Sequence, residues 1–183
     1  MIRLTSRPRK TVQDYMSLPD DVRAELIDGE FLMSPSPREP HQRISMNLAF
    51  ALRSCVHANR LGRVYSAPFD VHLPTGDVVQ PDVLFVSKAN EGIIQDWIRG
   101  APDLVIEIVS PELPERDRIV KRDLYARNGV REYWLVDDAS KSVEILRLES
   151  TRFVPHGYFE LQDVIESPTM PQLKLPVRDV FAE

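Results

Sequence analysis

A glutamate interrupts the most apolar segment of the chain, and it constrains the fold more than any other residue. Residues 103–110 read DLVIEIVS, with Glu107 placed among valine and isoleucine. Such a run is typical of a central strand that is covered on both faces of a sheet. An unpaired carboxylate there would cost several kcal/mol, so Glu107 must be neutralised by a base, by protonation or by a cation.

Asp82 is a candidate neighbour for this glutamate. Alternation along the strand places Asp103, Val105, Glu107 and Val109 on one face. Residues 81–87, PDVLFVS, predict a second apolar strand that Asp82 heads. Two carboxylates on adjacent buried strands would form an oxygen site suited to Mg²⁺, which takes few protein ligands and keeps several waters. A salt bridge or a capping role for Glu107 stays open at this point.

Lys121 lies on the helix predicted to follow this strand. At about 100° per residue, Leu113, Val120 and Leu124 predict the apolar stripe of that helix. Asp117 and Lys121 lie beside the stripe, one turn apart, so Lys121 borders the buried face and could reach over the strand before it. The pattern alone favours an ordinary surface pair between Asp117 and Lys121, worth a few tenths of a kcal/mol.

Turn and capping signals divide the rest of the chain. Thr11 can cap a short helix at 11–18, and Asp28-Gly29 between apolar runs predicts a hairpin. Ser36, Pro37 and Glu39 form a capping-box pattern ahead of a helix at 37–58. Further strands are predicted at 63–66, 69–73, 130–137 and 143–148, with a loop at 88–100 and a helix that follows residue 110 and ends at Asn128. This order indicates a mixed α/β or α+β fold.

Size and composition predict a single domain without disulfide bonds or a membrane-spanning helix. A length of 183 residues predicts one domain, 1–183, with a basic arm at 1–10 and C-terminal strands and turns at 151–183. The single cysteine, Cys55, excludes a disulfide framework and a cysteine zinc site, and it fits a cytoplasmic setting. No apolar stretch approaches about 18 residues, so no membrane-spanning helix is expected. The net charge of -5 is unlike that of a nucleic-acid coat protein, although local patches can differ from the sum.

Several motifs occur in the order that is found in one bacterial family. They are ELIDGE at 25–30, Ser36-Pro37 with His41, QPDVLFVS at 80–87, GAPDLVIEIVSP at 100–111, D-x-x-x-K at 117–121, Tyr125, and GVREYWLVDD at 129–138. This series resembles the Uma-type family of restriction-endonuclease-like proteins, within the PD-(D/E)XK nuclease superfamily. The likeness covers about residues 11–150, which is most of the chain.

The resemblance implies both a fold and a chemistry. The fold is a restriction-endonuclease-like core of the α/β (α+β) class, with a mixed central β-sheet flanked by helices. The activity is that of a metal-dependent endonuclease, in which Asp82, Glu107 and Glu25 bind Mg²⁺ or, in its place, Mn²⁺. Val109 stands where the motif has its catalytic lysine. The family places that lysine on the following helix, which here gives Lys121 the catalytic role.

The resemblance also implies a substrate and an oligomeric state, and individual residues favour alternative functions. It implies DNA as the substrate and a homodimer that cuts two strands. His41 matches a recurrent family position without an assigned role, and the pattern favours helix capping or core packing for it. Because Val109 replaces the lysine of the motif, one alternative is a catalytically degenerate nucleic-acid-binding module. The negative net charge and the apolar tail favour another, a dimeric interaction protein.

Overall fold

The computed structural model describes residues 8–19, 21–33 and 36–183. Apart from residues 8–10, the predicted basic arm lies outside the described residues. The helices are α1 (Val12–Met16), α2 (Glu39–Asn59), α3 (Arg122–Asn128) and α4 (Val177–Val180), with a 3₁₀ helix at Lys88–Ile93 and a π-helical turn at Arg116–Lys121. The strands are β1 (Ala24–Ile27), β2 (Glu30–Met33), β3 (Gly62–Ser66), β4 (Val71–His72), β5 (Val78–Val79), β6 (Val83–Ser87), β7 (Ile98–Arg99), β8 (Leu104–Ile108), β9 (Glu132–Asp137), β10 (Ser142–Glu149), β11 (Arg152–Phe159), β12 (Val164–Ile165) and β13 (Leu175–Pro176).

A six-stranded mixed sheet forms the centre of the fold, in the order β11-β10-β9-β8-β6-β3. Strands β8 and β9 are parallel, whereas β6 pairs with β8 in the antiparallel direction. A second sheet has the order β2-β1-β5-β4-β7, and β12 pairs with β13. The predicted hairpin at Asp28-Gly29 is confirmed, since β1 and β2 pair across it.

The two faces of the central sheet bury separate apolar clusters. On one face, α2 packs through Leu48 and Leu52 against a cluster that includes Ile106 of β8. On the other face, Val105 and Val109 pack with apolar residues of α3 and of the five-stranded sheet. All five residues of β8 are buried. The prediction of a central strand covered on both sides is therefore confirmed.

The N-terminus of α2 differs from the predicted capping box. The helix begins at Glu39, and its N-cap is Arg38, whose side chain makes no capping hydrogen bond with the described residues. Pro40 explains the shift, because a helix capped at Ser36 would need the residue-40 N–H as its first donor, and proline has none. The Gln42 N–H instead donates to the Arg38 carbonyl oxygen at 3.1 Å.

The helical segment after β8 also differs from the prediction. Its backbone becomes helical at residue 114 and then forms the π-helical turn before α3. The predicted apolar stripe is wrong, since the side chains of Leu113 and Val120 are 51% and 40% exposed. A π-helical turn holds more residues than an α-helical turn, so the residues before it rotate relative to Leu124. Asp117 and Lys121 consequently lie on the buried face.

Several short segments outside the central sheet differ from or match the sequence prediction. Strand β5 was not predicted, and β7 lies within the segment expected to be a loop. The short helix capped by Thr11 is confirmed as α1, with a capping box to Asp14. Within the part of the chain that the structure describes, no helix combines the length and the apolar character needed to cross a membrane.

The close approach of β3 to β6 gives a test of the central sheet. A Cβ added at Gly62 would lie 2.1 Å from the carbonyl oxygen of Val86, and the φ of Gly62 is +151°. We expect Gly62→Ala to lower the free energy of unfolding by roughly 2–4 kcal/mol, measured by urea denaturation. Gly92→Ala is the matched control, because its added Cβ would have no non-local described atom within 4 Å. Equal losses in the two variants would contradict the packing described here.

Candidate active site

Glu107 is neutralised by a lysine from the helical segment that follows its strand. Its Oε1 accepts hydrogen bonds from Lys121 Nζ at 2.9 Å and from Tyr125 Oη at 2.5 Å. Glu107 and Lys121 are only 3% and 2% exposed. Both donors reach the same oxygen, and Glu107 Oε2 accepts no hydrogen bond from the described residues. One carboxylate oxygen is thus fixed, and the other is available to a ligand.

Glu25 of β1 contacts the same lysine as Glu107. Its Oε1 lies 2.9 Å from Lys121 Nζ and accepts a hydrogen bond from the backbone N–H of Gln80, also at 2.9 Å. Glu25 Oε2 is buried and has no hydrogen-bond partner among the described residues. The structure therefore brings together Glu25, Glu107 and Lys121, three of the residues that the sequence singled out.

Asp82 lies beside this group at the start of β6. Strand β6 begins at Val83, which pairs with Ile106 of β8, and Asp82 comes directly before it. The negative charge of Asp82 is among those that act on Glu107. The Ile108 N–H donates to Asp82 Oδ2 at 2.7 Å, which ties this carboxylate to the backbone directly after Glu107.

His41 contacts the other oxygen of Asp82. Its Nε2 lies 3.2 Å from Asp82 Oδ1, so His41 neither caps α2 nor packs only in the core, as the pattern had favoured. Burial works to lower the pKa of His41, but the hydrogen bond to Asp82 and the charges of Asp82 and Asp117 raise it overall. The imidazole therefore lies in the negative environment of the site.

The sequence analysis assigned no role in the site to two further groups, Asp117 and Tyr125. Asp117 is buried, and its Oδ2 accepts a hydrogen bond from the Ser110 N–H at 3.1 Å. The surface pair between Asp117 and Lys121 that the pattern favoured is therefore wrong, since Lys121 is buried against the two glutamates. Tyr125 had no predicted role. The spacing of Tyr125, four residues after Lys121, is a signal that could have found it, because Arg122–Asn128 is α-helical. Spacing could not have placed Asp117, since residues 116–121 form a π-helical turn.

Burial and mutual repulsion shift the ionisation of these groups. Burial raises the pKa of Glu107 above its usual value although Lys121 opposes the rise, and Asp82, Asp117 and Glu25 raise it further. Burial also raises the pKa of Asp117 above its usual value. Burial would lower the pKa of Lys121, but the carboxylates of Glu107 and Glu25 raise it, so this amine stays charged. Glu25 and Glu107 contact the ammonium group of Lys121, Asp117 lies 3.9 Å from Arg116, and Asp82 contacts His41. The carboxyl groups of the site thus outnumber its basic groups.

The donor set suits a hard divalent cation. The buried, unpartnered Oε2 of Glu25 and the carboxylates of Glu107 and Asp82 are ligands of the kind that Mg²⁺ and Mn²⁺ prefer. Within the described ranges, no three His, Cys, Asp or Glu side chains are arranged to hold an ion by themselves. Water would complete the coordination, as is usual for Mg²⁺.

A mixed central sheet, Glu107 on its strand β8, Asp82 directly before the neighbouring strand β6 and a lysine from the next helical segment are features of a restriction-endonuclease-like protein. The family model Uma2, described as "Putative restriction endonuclease", matches residues 12–178, and the chain belongs to this family. The family predicted from the sequence motifs is therefore confirmed.

A solved structure has the same fold. The chain is similar to "a putative nuclease belonging to DUF820 from Anabaena variabilis ATCC 29413", with a TM-score of 0.77 and 22% sequence identity. The similarity covers 93% of this chain and 97% of that chain, which confirms the predicted fold class. No curated protein matches this chain.

The shared lysine predicts a large loss of stability on its removal. Lys121→Met keeps much of the side chain's volume but leaves two buried glutamates without their cation. We expect the free energy of unfolding to fall by about 3–5 kcal/mol, measured by urea denaturation at neutral pH.

Lys174→Met is the matched control for that variant. Lys174 pairs with Glu166 at the surface, where the two side chains are 62% and 69% exposed. An exposed pair is worth less than about 1 kcal/mol, so this variant should be nearly as stable as the wild type. A Lys121→Met protein that is as stable as the control would contradict the arrangement of buried charges.

Proposed function

We propose that the protein is an endonuclease that depends on a divalent metal and hydrolyses phosphodiester bonds of DNA. The observation that carries this proposal is the buried lysine shared by Glu25 and Glu107, beside Asp82. Membership of a family described as "Putative restriction endonuclease" supports a nuclease over other hydrolases that could use the same carboxylates.

The carboxylates have the first role in this proposal. Asp82 and Glu107, together with Glu25, would bind Mg²⁺ or Mn²⁺. A bound divalent ion lowers the pKa of a coordinated water and stabilises charge on the scissile phosphate. The Ile108 N–H orients Asp82, and Lys121 and Tyr125 orient Glu107, so these ligands are held in place before a substrate arrives.

Lys121 has the second role, which Val109 cannot perform. Val109 is a buried apolar residue directly after β8, whereas the amine of Lys121 contacts both Glu25 and Glu107. The carboxylates keep this amine protonated, so it carries a fixed positive charge at the site. We propose that this charge orients the attacking water or stabilises the negative charge that develops on the phosphate.

The negative charge of the site also affects how the protein would bind DNA. An excess of carboxylates repels a phosphate backbone, so DNA binding as well as cleavage should need the divalent ion.

One such site cuts one strand, and we propose that two copies act as a homodimer on duplex DNA. The free thiol of Cys55 fits the reducing conditions of the cytoplasm, where we propose that the protein acts.

Nicking of supercoiled plasmid DNA tests the catalytic proposal. In Mg²⁺ or Mn²⁺, wild-type protein should convert the plasmid to open-circular or linear forms. Asp82→Asn and Glu107→Gln remove one ligand charge each, and we expect them to slow the reaction roughly a thousandfold or more. Glu166→Gln, at an exposed acid, should cleave like the wild type.

Two outcomes would count against catalysis. Wild-type protein that leaves DNA and RNA intact with either ion would contradict the endonuclease proposal. Binding of DNA without metal that survives Asp82→Asn would favour the degenerate nucleic-acid-binding module in its place. Such binding would weaken with salt according to the number of phosphate contacts.

Metal binding should also stabilise the fold in the absence of DNA. At a hundred times its dissociation constant, an ion that binds only the folded state adds about 2.7 kcal/mol. For a chain of this length, we expect Mn²⁺ to raise the melting temperature by roughly 5–10 °C, measured by calorimetry. Asp82→Asn should lose most of this rise. An equal rise in both proteins would place the ion elsewhere.

A further inference from the structure

We infer that His41 is a nitrogen ligand of the divalent ion, and that the site therefore prefers transition-metal ions to Mg²⁺. This inference rests on the proposed metal centre and goes beyond it, because the carboxylate site alone provides only oxygen ligands. It assigns a role to the one imidazole that faces the carboxylates among the described residues.

The geometry of His41 and Asp82 carries the inference. Nε2 of His41 lies 3.2 Å from Oδ1 of Asp82. Neighbouring ligands of one octahedral ion, each about 2.1 Å from it, are about 3 Å apart. The second oxygen of Asp82 is occupied by the Ile108 N–H, so Oδ1 is the oxygen oriented toward the imidazole. A single ion could replace the proton between these two atoms, and that proton would pass to solvent.

The position of His41 in the fold gives it no capping role. His41 lies in the first turn of α2, but the N-cap of that helix is Arg38. The Nδ1 atom of His41 is buried and has no hydrogen-bond partner among the described residues, so nothing else in the described protein orients the ring. Asp82 is the group to which this imidazole is directed.

The chemistry of imidazole predicts the metal preference. Mg²⁺ favours oxygen ligands, whereas imidazole nitrogen binds transition-metal ions more strongly, in an order that rises from Mn²⁺ to Co²⁺. A neutral ring also supplies a lone pair without adding charge. The affinity of the wild-type protein should therefore increase from Mg²⁺ through Mn²⁺ to Co²⁺.

The variant His41→Gln tests whether His41 is a metal ligand or only a hydrogen-bond donor to Asp82. Glutamine can still donate an N–H to Asp82, but its amide nitrogen is not a metal ligand. By isothermal titration calorimetry, we expect this variant to bind Co²⁺ roughly tenfold or more weakly, and Mg²⁺ with less than about a threefold change. His57→Gln is the matched control, since His57 is exposed on the same helix. Co²⁺ binding that His41→Gln leaves unchanged would overturn the inference.

Pulsed electron paramagnetic resonance of bound Mn²⁺ gives a readout that does not depend on activity. With ¹⁵N-labelled histidine, we expect nitrogen coupling in the wild type and in His57→Gln, and none in His41→Gln. Bound Mn²⁺ without histidine coupling in the wild type would overturn the inference and leave the carboxylate centre intact. A wild-type protein that binds no Mn²⁺ would overturn the metal centre and this inference together.

Discussion

The ammonium group of Lys121 holds two buried glutamates together, and the arrangement of the protein depends on this contact. Glu25 belongs to β1 of the five-stranded sheet, and Glu107 belongs to β8 of the central sheet. Lys121 comes from the helical segment that connects β8 to β9. One side chain thus links both sheets and the crossover connection, and without it two carboxylates would be buried with no cation.

Stability does not explain why the site has this composition. A buried ion pair often contributes no more than apolar residues of the same volume, because the desolvation of both charges offsets their attraction. Here the acids also outnumber the bases, since Asp82 and Asp117 add to the two glutamates and Arg116 lies 3.9 Å from Asp117. Burial also raises the pKa of Glu107 above its usual value. Such an unbalanced site costs stability. A cation that enters it during function would account for that cost.

Particular residues show how far the sequence predicts this site. The carboxylate of Glu107 in an apolar strand required a neutralising partner, and alternation correctly placed it on the face with Val105 and Val109. Helical periodicity failed for Lys121, because it assumes regular α-helix and the chain forms a π-helical turn there. The contact between His41 and Asp82 could not be predicted from spacing, since it joins α2 to β6 through tertiary packing.

Anomalous diffraction from a crystal soaked in Mn²⁺ would test the central claim most directly. The account predicts an anomalous peak between the carboxylates of Asp82 and Glu107, with Lys121 still within hydrogen-bonding distance of a glutamate. Saturating Mn²⁺ with no peak there, while these side chains keep the positions described here, would contradict the claim that the buried acids form a metal centre.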